Sequence, residues 1–159
     1  ISQHVDEIVT VTEDEMAKAM VIVMEKSKLV VEAGGAVGVA AILANKVKLS
    51  GTTAVILSGG NIDPLLLQRV IRHGLAASDR YTNIAVMLPD RPGQLVLTAQ
   101  AVAAAGANVV EVLHTRHGDG LQISEVELEL SIETRGRSHR DEVFESLKAA
   151  GLSPRMSED

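Results

Sequence analysis

The sequence predicts a mixed α/β protein of two units, the second an α+β sandwich of ferredoxin-like order βαββαβ. Three observations predict it. Strand and helix patterns follow one another in that order after residue 80, with glycines where the helices should stop. Before residue 74, β-branched apolar runs alternate with helical segments, as in layered α/β packing. Between the two blocks the apolar pattern lapses at residues 74–80, which read as a linker. Charge shifts there too: residues 1–78 hold seven Lys and Arg against eight Asp and Glu, a balance of -1, leaving -5 of the total -6 to the rest. The expected units are residues 1–76 and 80–159.

Taken in order, residues 5–11 are β-branched and largely apolar, which predicts a strand. Thr12-Glu13-Asp14-Glu15 then fits a capping box, in which the Thr12 hydroxyl and the Glu15 carboxylate satisfy amides of a first helical turn. Met16, Met20, Ile22, Val23 and Met24 supply that helix with an apolar stripe. Residues 33–44 are Ala-rich and too apolar to face water on every side, so a buried helix is expected. Residues 53–57 form a continuous apolar run, as in a central parallel strand covered on both faces. Asp63-Pro64 places an N-cap and a first-turn proline ahead of a helix reaching about His73.

The second block begins with a strand at 82–88, a turn at 89–93 and a helix at 94–105 ended by Gly106. A strand at 109–114 and a hairpin turn at 117–120 lead to residues 125–133, where acidic and apolar side chains alternate with period two. One face of that strand should be wet or paired, with Glu125, Glu127 and Glu129 on it. A helix at 138–150, with Val143, Phe144 and Leu147 inward, is stopped by Gly151. Residues 152–156 suit a short last strand.

Composition narrows the function. With 159 residues and 46% hydrophobic content the chain can bury one good core or two small ones. A net charge of -6 with one Tyr, one Phe and no Trp argues against a nucleic-acid partner. Zero cysteines exclude disulfides and thiolate metal sites, and no apolar run has membrane-spanning length, so a cytoplasmic protein is expected. The chain opens at Ile1 rather than Met, which reads as a segment of something longer.

Ser58-Gly59-Gly60-Asn61 sits between a predicted buried strand and a helix, where open α/β folds bind ligands. Alone it is better read as a plain strand-to-helix turn, since Gly-Gly turns are common. Together with Glu32-Ala33-Gly34-Gly35-Ala36-Val37-Gly38 and His4-Val5-Asp6-Glu7-Ile8-Val9, however, it resembles the end of the catalytic domain of fold-type II pyridoxal-phosphate enzymes, the threonine dehydratases and serine racemases above all. That resemblance implies that the first unit is the carboxy-terminal segment of a pyridoxal-phosphate domain. It implies that Ser58 hydrogen-bonds the cofactor's pyridine nitrogen, that Gly59 and Gly60 let the backbone approach the ring, and that Asn61 braces the turn. A hydroxyl there does not hold the ring nitrogen protonated as a carboxylate would, which suits β-elimination. Glu32 either lines the same pocket or is simply an acid at a helix start.

The family's Schiff-base lysine and glycine-rich phosphate cradle have no counterpart in the sequence. The chain alone is therefore expected to lack dehydratase activity and to bind no cofactor, although the intact parent would use pyridoxal phosphate.

Asp90-Arg91-Pro92-Gly93-Gln94-Leu95, with Gly106-Ala107-Asn108-Val109 further on, resembles an ACT domain. In that family the loop after the first strand and the start of the second strand form an effector site, usually at an interface between two domains. Backbone amides at Gly93 would face an amino-acid carboxylate, Asn108 would hydrogen-bond its polar end, and Leu95 and Val109 would enclose an aliphatic side chain. Asp90, Arg91, Pro92, Gln94 complete the expected set.

The best reading is thus the regulatory portion of a threonine dehydratase, threonine to 2-oxobutanoate and ammonia, sensing isoleucine or valine in a homo-oligomer. A stand-alone amino-acid-binding or dimerisation module is the alternative. A complete small pyridoxal-phosphate enzyme is a third, disfavoured by the missing lysine. His114-Thr115-Arg116-His117 hints at metal, but residues three apart on a strand point to opposite faces, so no metal site is expected. The basic run 135–140 reads as a solvated loop and helix cap.

Overall fold

A computed structural model describes residues 4–116 and 121–157, and the chain divides into two compact units, Ile1–Ala77 and Ser78–Asp159. The hairpin turn expected at 117–120 lies outside the described residues.

The first unit contains three helices, α1 (Glu13–Ser27), α2 (Ala33–Leu43) and α3 (Pro64–Ala77), and α1 packs against both others. The capping box forms as the sequence implies: the Thr12 amide donates to Glu15 Oε2 at 2.7 Å and the Glu15 amide to Thr12 Oγ1 at 3.2 Å. Asp63 caps α3, its Oδ1 accepting from the amides of Leu65 and Leu66 at 2.9 and 3.0 Å. Ala19, Met20, Val23, Val31, Ala36 and Ala40 form a small core. Helix α2 buries Gly35, Ala36, Ala40 and Ala41 but leaves Leu43 exposed.

Three expectations for this unit are corrected. Residues 5–11 and 53–57 are irregular rather than strands, and no strand occurs in this unit among the described residues. A strand is stable only when a neighbour takes its hydrogen bonds, and neither run finds one. The supposed linker is helix as far as Ala77, because Gly74 is a packing residue: a Cβ there would lie 2.7 Å from the Ala17 carbonyl oxygen and 2.8 Å from Val21 Cγ2. What looked like a breaker is the point where α3 meets α1.

The second unit is a four-stranded antiparallel sheet, β1 (Tyr81–Pro89), β2 (Asn108–Thr115), β3 (Glu125–Glu133) and β4 (Pro154–Met156), in the order β2-β3-β1-β4. Helices α4 (Gln94–Ala104) and α5 (Arg137–Ala149) complete the βαββαβ order. The alternation on β3 is realised residue by residue, with Val126, Leu128, Leu130 and Ile132 buried beneath the helices and the glutamates between them on the other face. Ile84, Val86 and Leu88 of β1 join them, with Val102, Val143 and Leu147 from the helices. Each such side chain contributes about 1.5–3 kcal/mol by leaving water. Gly106 and Gly151 end the helices in the left-handed region, φ 74° and 80°.

The basic run 135–140 forms the loop and start of α5 with Arg135, Arg137 and Ser138 exposed, as expected, while His139 and Arg140 are more enclosed. Arg137 Nε donates to Asp79 at 3.2 Å, and Arg140 pairs with both Asp79 and Asp141. His139 is buried, accepting from the Arg135 amide at 3.0 Å through Nδ1 and placing Nε2 2.8 Å from the Ala105 carbonyl oxygen. An amide can only donate and a carbonyl can only accept, so Nδ1 accepts and Nε2 donates.

Candidate functional site

The loop from β1 to α4 is shaped by short contacts. The Asp90 amide donates to the Ser124 carbonyl at 2.8 Å and the Arg91 amide to the Pro89 carbonyl at 2.8 Å. Gly93, at φ 92°, then turns the chain into α4 in a conformation that favours glycine. No side chain caps α4, and its first ladder bond runs from the Leu97 amide to the Gly93 carbonyl. The preceding amides head the helix with the positive end of its dipole.

Residues 90–95 line a cleft of about 380 Å³ together with His114, Arg116, Val126 and Leu128. Its floor is apolar, since Val126 and Leu128 belong to the core. Its rim is charged: Arg116 Nε lies 3.2 Å from Asp90 Oδ2 and Arg116 Nη2 3.4 Å from Oδ1. His114 and Arg116 escaped the sequence reading, which weighed them only as metal ligands. The strand period would have found them, because His114 pairs with Leu128 in register and residue 116 shares its parity.

Asn108 and Val109 are not brought to this cleft within one copy. Asn108 starts β2 at the other end, seven residues from Thr115, or about 23 Å at 3.3 Å per residue. Its Nδ2 donates to Glu133 Oε2 at 3.2 Å, while Val109 packs against the core. Among the described residues no three His, Cys, Asp or Glu side chains converge on a metal position. None of the described helices is long and apolar enough to cross a membrane.

In the first unit, Ser58, Gly59 and Gly60 lie in an exposed loop pressed on the start of α2. The Glu32 amide donates to the Gly59 carbonyl at 2.9 Å. The approach needs glycine on both sides: a Cβ on Gly35 would be 1.6 Å from the Ser58 carbonyl oxygen, and one on Gly59, at φ 70°, 2.1 Å from Glu32 Oε1. Asn61 and Glu32 line a larger cleft, about 810 Å³, between α1, α3 and the start of α2.

These residues do not fit a complete pyridoxal-phosphate site. No lysine is among the described residues lining that cleft, so the covalent anchor such a site needs is not among them.

No protein-family model matches the sequence. Curated relatives do. The chain is 43% identical over 152 residues to L-threonine ammonia-lyase of Geobacter sulfurreducens, covering 95% of this chain and 38% of that protein. It is 40% identical over 157 residues to L-threonine ammonia-lyase of Thermotoga maritima, covering 98% and 39%. Over nearly its whole length the chain is homologous to threonine ammonia-lyase. The extent of the match is consistent with the carboxy-terminal part of a threonine dehydratase, and the chain spans less than two fifths of the length of these two relatives. The L-threonine dehydratase catabolic TdcB of Staphylococcus aureus matches half of the chain, at 42% identity over 83 residues. Among solved structures, prephenate dehydratase from Streptococcus mutans covers 48% of the chain at TM-score 0.40 and 18% identity. The regulatory subunit of aspartate kinase from Thermus thermophilus covers 48% at 0.37 and 19%.

Proposed function

We propose that this chain is the regulatory portion of a threonine ammonia-lyase, and that its second unit is an ACT-type sensor of an aliphatic amino acid, isoleucine or valine. The whole enzyme would convert threonine to 2-oxobutanoate and ammonia with pyridoxal phosphate. This chain, without a lysine to carry the cofactor, would not. The observation that carries the reading is the cleft itself: an uncapped helix start at Gly93 facing an apolar floor of Val126 and Leu128, which suits a small zwitterion with a branched side chain.

Asn108 enters through a second copy. Strand β2 is an edge of the sheet, and Val110, Val112 and Leu113 on it are exposed, a template for strand pairing. Antiparallel pairing of two β2 strands about a two-fold axis near Val112 would set Asn108 of one copy opposite Arg116 of the other, beside the cleft. A site shared in this way would couple ligand binding to the arrangement of two copies, as feedback control requires.

Calorimetric titration of isoleucine and valine into the chain tests this. One amino acid should bind per copy, and Gly93→Ala and Asn108→Ala should each weaken it at least tenfold. Mixing the two variants should restore about a quarter of the sites, because half of the dimers formed at random hold one intact site of two. Absence of binding by either amino acid, or no recovery on mixing, contradicts the proposal.

A further inference from the structure

We infer that Asp90 and Arg116 are the residues that recognise the ligand's two charges, exchanging their mutual ion pair for one with a zwitterion. The inference rests on the sensing function proposed above and assigns it a specificity mechanism.

Among the described residues lining the cleft, Asp90 is the acidic one. Around it stand Arg91, Arg116 and the positive end of α4, all of which favour an anion. A ligand ammonium entering that space meets the Asp90 carboxylate. A ligand carboxylate can be taken by Arg116, whose planar fork matches it in a way that an ammonium could not.

The existing pair is built to be replaced. Its two contacts, 3.2 and 3.4 Å, are longer than charge-assisted hydrogen bonds usually are, and the side chains remain 58% and 39% exposed. Such a pair contributes little and is easily broken. Its backbone anchors are firmer: Asp90 is held to Ser124 through its amide, and Arg116 directly follows Thr115, which is in register with Glu127. Exchange would therefore need only side-chain rotation. The apolar floor takes the remaining side chain of the ligand, so the site reads both charges of an amino acid and its aliphatic tail at once.

A purely structural strap between β2 and the 90–95 loop would look the same at rest. Titrations of the whole chain with three probes separate the two roles: isoleucine, isoleucinamide without the carboxylate, and 3-methylpentanoate without the ammonium. Asp90→Asn should weaken isoleucine by about tenfold to a hundredfold, the loss of one charged hydrogen-bonding partner, and bind 3-methylpentanoate no more weakly than the unaltered chain does, because Arg116 is then released from its pair. Arg116→Gln should weaken isoleucine similarly and bind isoleucinamide no more weakly than the unaltered chain does, because Asp90 is then released. Uniform loss for all three probes, or isoleucine affinity unaltered in both variants, would overturn this assignment while leaving the sensor intact. Failure of the unaltered chain to bind isoleucine or valine would overturn the sensor and this assignment together.

Discussion

Ile132 and Leu128 of the second unit are almost wholly buried, whereas Ile8 and Ile56 of the first, in runs equally rich in β-branched residues, are 75% and 86% exposed. The two regions differ in partners rather than in propensity. Residues 125–133 lie between β1 and β2, with two helices over one face. Residues 5–11 and 53–57 have no adjacent strand among the described residues. The first unit is instead three helices held by small residues, Ala19, Ala36, Ala40 and Gly74, at close approaches. The lesson is that an apolar run states a demand for burial, and the rest of the fold decides whether a ladder answers it.

This contrast can be broken most sharply in the sandwich. Leu130→Ala, which empties a fully enclosed position, should cost about 2–5 kcal/mol, and thermal melting followed by near-ultraviolet absorbance of Tyr81 should show the second unit melting earlier. Ile56→Ala should stay within about 0.5 kcal/mol, as surface changes do. Equal losses at the two positions would contradict the difference drawn here.

A smaller effect probes the helical packing. Gly74→Ala must push α3 off the Ala17 carbonyl, at about 1–3 kcal/mol by the usual scale of overpacking. Hydrogen exchange should show faster opening of α1 and α3 with the second unit unchanged; exchange unaltered in α1 would mean that the close approach carries no strain.

The smallest concerns the cap. Thr12→Ala should cost about 1 kcal/mol. Lys46, followed by the Thr12 amide, hydrogen-bonds Glu15 and holds its carboxyl below the ordinary value. The sign follows: the contribution is present above the ordinary carboxylate pKa and is lost as pH falls through the lowered one. Glu15→Gln should flatten that acid-side loss in a urea melt of α1 followed by exchange, and an unchanged pH profile would refute it.

The second unit was legible almost element by element, because alternation on 125–133, the glycines at 106 and 151 and the turn before Gln94 are local signals of local structure. The capping box and the Asp63 cap were legible for the same reason. Gly74 was misread because a buried helix contact and a helix break use the same residue. Arg116 and His114 were overlooked because their place in the cleft depends on sheet register, not on a motif. The separation of Asn108 from residues 90–95 follows from strand length, and the second copy proposed above would close it.

Hydrogen exchange by mass spectrometry, with and without isoleucine, tests the central claim most directly. The account predicts protection at residues 90–95 and at both ends of β2, around 108 and 116, with none in residues 4–77. Protection confined to the first unit, or to 90–95 while β2 exchanges as before, would contradict a sensing site shared between two copies of the sandwich.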